Sequence, residues 1–104
     1  MRVKWTRQSL TDMEELLDYW EANTPVTREK KLNAVLARTD KLEIFPVMGR
    51  IEPRLAVSRP VAELRYTIVG FSKIIYQIDG EIIWIKQVLD SRSDPRKLRI
   101  EDTP

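Results

Sequence analysis

Three apolar runs between Ala62 and Pro95, written ELRYTIVGFSKIIYQIDGEIIWIKQVLDSRSDP and broken at Val69-Gly70 and Asp79-Gly80, constrain this chain more than any other feature. Short runs rich in β-branched and aromatic residues, divided by glycine turns, read as consecutive antiparallel strands. Leu64, Tyr66 and Ile68 alternate with Glu63, Arg65 and Thr67, and Val69-Gly70 turns the chain into a strand from Phe71 to Ile78. Asp79-Gly80 predicts a type I′ hairpin, which needs positive φ at both central residues. The last strand, Glu81 to Leu89, is apolar on both faces: Ile82, Trp84 and Val88 on one, Ile83, Ile85 and Leu89 on the other. Such a strand belongs inside a sheet covered on both sides, or covered on one side and completed by a partner.

Upstream the periodicity changes. Val3 and Trp5 alternate with Arg2 and Lys4, a brief strand expected to pair inside a larger sheet. Thr6 or Ser9 then caps a helix whose Leu10, Met13, Leu16, Leu17 and Trp20 share one face and which ends near Asn23. Thr24-Pro25 starts a second helix, because proline is tolerated at the first helical position. Its stripe is Leu32, Val35, Leu36, Thr39 and Leu42, and Phe45-Pro46 closes it at about Ile44. So short a connection forces the two helices to pack antiparallel. Residues from Val47 to Pro60, with three arginines, two prolines and one glycine, read as an irregular connection. The order is therefore α+β: strand, helix, helix, then three strands, a small antiparallel-rich sheet with a helical hairpin on one face.

Composition narrows the chemistry. At 104 residues, one domain spanning 1–104 is expected, with residues 92–104 as a basic C-terminal tail. With no cysteine, neither disulfides nor thiolate metal sites are available; with no histidine, the usual neutral-pH general base and commonest metal ligand are missing. No cofactor or metal is expected. The opening MRVKWTRQSL lacks an apolar h-region, and no run approaches the roughly 18–20 apolar residues that span a bilayer, which predicts a soluble cytoplasmic protein. Net charge is only +2, from 18 Lys and Arg against 16 Asp and Glu. That balance falls short of a dedicated nucleic-acid binder, so a stacking module built on Trp5, Tyr66, Phe71 and Trp84 ranks low.

Charge distribution says more than charge sum. Wound at about 100° per residue, the second helix carries Arg28, Lys31, Arg38 and Lys41 on one flank of its stripe and Glu29, Asp40 and Glu43 on the other. The flank reads either as a solvated face with intrahelical pairs or as the basic edge of a groove for an acidic partner.

Taken together, VKWT at Val3–Thr6, a first helix ending in Asp18-Tyr19-Trp20, FPVMGR at Phe45–Arg50, Glu63-Leu64, the GFSKIIYQI core and VLDSRSDP at Val88–Pro95 resemble a family. The chain looks like a toxin of the RelE/ParE superfamily of bacterial type II toxin–antitoxin systems, over nearly its whole length. The resemblance implies either of two activities: RelE-like members cut messenger RNA on the ribosome, and ParE-like members poison DNA gyrase.

Cutting RNA requires an activated 2′-hydroxyl, cations for the developing phosphate charge and a proton for the leaving oxygen. The histidine frequent in such nucleases after the last strand is Asp90 here, the arginine common before Glu-Leu is Ala62, and no tyrosine follows Arg92. Arg65, Lys73, Lys86 and Arg92 remain as phosphate-neutralising candidates and Tyr76 as an acid. The ParE-like reading therefore leads, a stoichiometric gyrase inhibitor without covalent chemistry of its own, with mRNA cleavage as the alternative. The resemblance draws attention to the basic tail for target binding, through Arg92, Arg96, Lys97 and Arg99. It also implies a cognate antitoxin with an acidic, partly disordered segment that folds on binding, giving a hetero-oligomer. Arg28, Lys31, Arg38 and Lys41 would meet that segment's acidic residues, with Ile82 and Trp84 as apolar anchors.

Overall fold

The computed structural model describes residues 1–23, 25–52 and 64–92. The elements run β1 (Arg2–Trp5), α1 (Arg7–Asn23), α2 (Pro25–Ile44), β2 (Arg50–Ile51), β3 (Leu64–Val69), β4 (Ser72–Asp79) and β5 (Ile82–Asp90). They form one five-stranded sheet in the order β1-β5-β4-β3-β2, antiparallel except for the parallel β1–β5 pair. The α+β class, the helical hairpin and the three-strand finish are as the residues predict.

The two tight hairpins differ from expectation in one respect. Asp79 pairs with Ile82 and Val69 with Ser72, so the central turn residues are Gly80-Glu81 and Gly70-Phe71. Gly80 has φ 60° and Gly70 has φ 61°, while no non-glycine described residue has positive φ. Glycine at the first central position with an ordinary second residue is the type II′ pattern rather than I′, and it matches strand twist equally well.

A β-bulge then decides which residues face the helices. Tyr76 pairs with Ile85 and Ile75 with Gln87, so Lys86 is the extra residue on β5. The bulge swaps the expected faces of the strand's end: Val88 joins Ile83 and Ile85 in the main core, and Leu89 packs with Ile75 and Leu64 on the other face. A strict period of two cannot anticipate this, because one inserted residue inverts every later side chain.

The main core lies between helices and sheet and contains Met13, Trp20, Val35, Leu42, Ile74, Tyr76, Ile83, Ile85 and Val88, with Leu16, Leu17 and Leu32 at its margin. Leu10 and Leu36, placed on the helical stripes by spacing, stay exposed at 51% and 41%. β1 is an edge strand, paired only with β5, rather than an interior one. At the opposite edge β2 forms within the stretch read as an irregular connection; residues 53–63 lie outside the described residues.

Side chains pin α1 to the bulge. The Ser9 N–H donates to Thr6 Oγ1 at 3.1 Å, which makes Thr6 the N-cap, and the Thr6 hydroxyl donates to the Ile85 carbonyl at 2.9 Å. Asp12 Oδ2 accepts the Val88 N–H at 2.9 Å, just past the bulge. Helix register and strand register are thus locked together by one cap and one carboxylate.

Candidate functional site

The connection from α2 to β2 is held by the core. Tyr76 is fully buried in β4, and its hydroxyl donates to the Pro46 carbonyl at 2.7 Å and accepts the Gly49 N–H at 2.9 Å. Arg65 Nη1 donates to the Gly49 carbonyl at 2.8 Å. Residues Phe45 to Arg50 are therefore clamped from two strands, which gives their turn a structural cause. Of the residues weighed for RNA chemistry, Arg65 and Tyr76 come together, both engaged with this turn's main chain.

Lys73 lies on the opposite face of the sheet. Its Nζ sits 2.6 Å from Glu52 Oε2 and 4.4 Å from the Tyr66 ring centroid, and both charged side chains are nearly removed from solvent. Lys86, at the bulge, is buried as well. Arg92, just beyond β5, is exposed and donates three hydrogen bonds to Asp90: its N–H and Nε to Oδ1 at 2.8 and 3.0 Å, and Nη2 to Oδ2 at 2.8 Å. Its guanidinium lies 3.8 Å from the Phe71 ring centroid. These hydrogen bonds, chiefly that from the Arg92 side chain, hold the Asp90 carboxyl below its usual range. The Asp90 that replaces the expected histidine thus fixes an arginine in place. The five candidates do not converge on one point: two clamp a turn under the helices, one is paired on the far face, one lies in the bulge and one sits at a strand end.

The candidates for partner binding also divide. Arg28 pairs with Glu21 at 3.2 Å and Glu29 at 2.6 Å, beside a hollow of about 600 Å³ lined by Glu14, Asp18 and Leu17. Lys31 Nζ lies 5.6 Å from the Trp20 ring centroid. Arg38 Nη1 donates to Thr67 Oγ1 at 2.5 Å and the Ile68 carbonyl at 3.1 Å, tying α2 to β3, while Lys41 is exposed. Ile82 and Trp84 lie half-buried on the face away from the helices, opposite Arg2 and Lys4, with Lys4 Nζ 5.8 Å from the Trp84 ring centroid. Among the candidates for target binding only Arg92 is described; Arg96, Lys97 and Arg99 lie outside the described residues.

Sequence reasoning missed Glu52, Gly49 and Phe71. Nothing in the spacing joins Glu52 to Lys73 or Gly49 to Tyr76, since both contacts cross strands; Phe71 was read as the first residue of a strand and as a stacking platform, whereas the strand starts at Ser72 and Phe71 lies in the turn. No group of three or more His, Cys, Asp or Glu side chains among the described residues is placed to hold a metal ion. No described helix is long and apolar enough to cross a membrane.

The model of the ParE toxin of the parDE type II toxin–antitoxin system matches residues 3–95. This chain belongs to the ParE toxin family. It is a type II toxin by that membership, on the ParE branch of the superfamily. The fold agrees: a solved structure titled as the chromosomal ParDE toxin–antitoxin system from P. aeruginosa superposes with a TM-score of 0.69 at 18% identity, covering 86% of this chain and 95% of that one. No curated protein matches the sequence.

Proposed function

We propose that this ParE-family chain inhibits DNA gyrase in the cytoplasm by binding it, and that a cognate antitoxin holds it inactive. The observation that carries the reading is the ParE match over residues 3–95. The engagement of the cationic candidates supports it: Lys73 is spent on Glu52, Arg92 on Asp90 and Arg65 on the Gly49 carbonyl. Phosphoryl-transfer catalysis needs cations directed at the developing charge, and these are directed at the protein itself. The positive tail with Arg92, Arg96, Lys97 and Arg99 is the proposed target contact, and the antitoxin is proposed to run over the α2 flank and the Ile82–Trp84 face. Because those surfaces lie on opposite sides of the sheet, one partner reaches both only by wrapping, as an extended segment that folds on binding does.

Gyrase supercoiling assays with stoichiometric toxin, run beside a ribosome-programmed mRNA cleavage assay, test this. Loss of supercoiling with intact message is the expected result. Untouched supercoiling at excess toxin, with message cut, hands the function to the mRNA endonuclease alternative. Replacing Arg92, Arg96, Lys97 and Arg99 together by alanine is expected to abolish growth arrest; unchanged arrest removes the tail from the target contact.

A further inference from the structure

Beside the β3–β4 turn lies a cleft to which none of the roles above assigns an occupant. It measures about 270 Å³ and lies between α2 and this turn, with Ala34, Val69 and Phe71 giving apolar walls and Lys30 and Lys31 at its rim. Its size is below the roughly 300–1,000 Å³ of small-molecule pockets and suits a single side chain better. Phe71 occupies the second central position of the type II′ turn and is 54% exposed, where polar residues are usual. The ring is not loose: Arg92 lies on it at 3.8 Å, and the three hydrogen bonds that Arg92 donates to Asp90 fix the guanidinium in place. Lys31 is near enough to Asp90 to help keep it ionised. The Asp90 carboxylate is thus already paired, and the charged residues that line the cleft, Lys30 and Lys31, are both positive.

We propose that this cleft seats an acidic stretch of the antitoxin, one apolar side chain entering between Ala34, Val69 and Phe71 while flanking carboxylates pair with Lys30 and Lys31. The proposal rests on the antitoxin reading above and adds to Lys31, which the sequence nominated, a docking point made with Lys30, Ala34, Val69 and Phe71. Charge complementarity selects the occupant: two cations at the rim of an apolar cleft fit carboxylates flanking a hydrophobic anchor. A nucleic acid would call for a longer basic track than two charges beside one ring. Phe71, held by Arg92 in advance, needs little ordering when the partner arrives.

Two measurements test it, using as probe the product of whichever reading frame adjoins the toxin gene. In the first, a photoreactive benzoylphenylalanine replaces Phe71 in the full chain, and the co-expressed pair is irradiated. The expected adduct joins position 71 to an Asp/Glu-rich peptide of the probe. In the second, calorimetric titration compares Phe71→Ala and Lys30→Glu with Arg7→Glu, which makes the same charge change at the exposed start of α1. Phe71→Ala and Lys30→Glu are each expected to weaken binding about tenfold, Lys30→Glu more so at low salt, with Arg7→Glu within about twofold of wild type. All are surface changes, and circular dichroism confirms the fold. Tight binding of wild type with no adduct at position 71 and no loss in either variant overturns the docking point while leaving the antitoxin reading intact. An adduct to DNA or RNA instead of the probe also overturns it. Absence of binding by wild type overturns the antitoxin reading and the docking point with it.

Discussion

Replacing Gly49 by alanine tests the clamp behind the Phe45–Arg50 turn, and the structure gives both its sign and its size. Gly49 has an ordinary negative-φ backbone, so alanine introduces no conformational strain and by itself would stabilise by about 0.4–1 kcal/mol through the unfolded chain. Opposing this, the added Cβ would lie 2.5 Å from the Tyr76 hydroxyl oxygen, 2.6 Å from the Tyr66 carbonyl oxygen and 2.8 Å from Tyr76 Cε1. Two of these neighbours belong to a fully buried side chain and one to strand backbone, so none can yield cheaply. Overpacking of this kind costs about 1–3 kcal/mol, leaving a net loss of about 1–2 kcal/mol. In a domain of this size that lowers the melting temperature by about 5–15 °C, measurable by circular dichroism. Tyr76→Phe removes the closest contact but strands the Gly49 N–H, at about 1–3 kcal/mol. In the double variant the Tyr66 carbonyl and the ring carbon still obstruct the Cβ, so the two losses are expected to add to less than their sum without cancelling. An unchanged or raised melting temperature for Gly49→Ala would refute the reasoning, since only the close approach makes this substitution unfavourable.

Glu52→Gln or Lys73→Met alone should cost about 3–5 kcal/mol in urea unfolding, because each leaves a buried charge unpaired, whereas Glu52→Leu with Lys73→Met should come out near neutral; equal losses for single and double variants would count against the pairing. The Asp90 carboxyl, held low by Arg92, should titrate below the ordinary carboxylate range by carbon-detected NMR, and Arg92→Ala should bring its midpoint back up. Since its folded value is depressed, the stabilisation from this pair is present above the unfolded value and lost as pH falls through the folded one; Asp90→Asn should remove that contribution at neutral pH and flatten stability across the acid window.

Elements whose signals are local were legible in the sequence. Gly70 and Gly80 mark the hairpins because only glycine takes positive φ cheaply; Thr6 marks one helix start because its hydroxyl oxygen accepts an orphan N–H, and Pro25 marks the other because proline has no N–H to leave unpaired. Features that depend on pairing between distant segments were hidden. The bulge at Lys86 leaves no mark in the alternation, yet it reassigns Val88 and Leu89. Burial of Leu10 and Leu36 depends on how far the sheet extends beneath each helix, which helical spacing does not contain. The basic flank of α2 was visible as a pattern, but Glu21 lies on α1 and Thr67 on β3, so the partners of Arg28 and Arg38 were out of reach.

The distribution of charge partners also bears on which activity the fold can support. On the helix side, Arg65 and Tyr76 spend their polar atoms on the turn at Pro46 and Gly49, so altering them disturbs the scaffold before any reaction. On the far side, Lys73 is bound to Glu52 in a nearly dry pair, and withdrawing it toward a phosphate would leave that carboxylate buried and uncompensated. Arg92 is exposed, but a substrate phosphate would have to compete with a bidentate carboxylate already in place. A catalyst gains from charges that are preorganised toward the transition state, whereas these are preorganised toward the protein. The same commitment suits a protein that acts by binding, because rigid, internally satisfied polar groups present a fixed surface at little ordering cost.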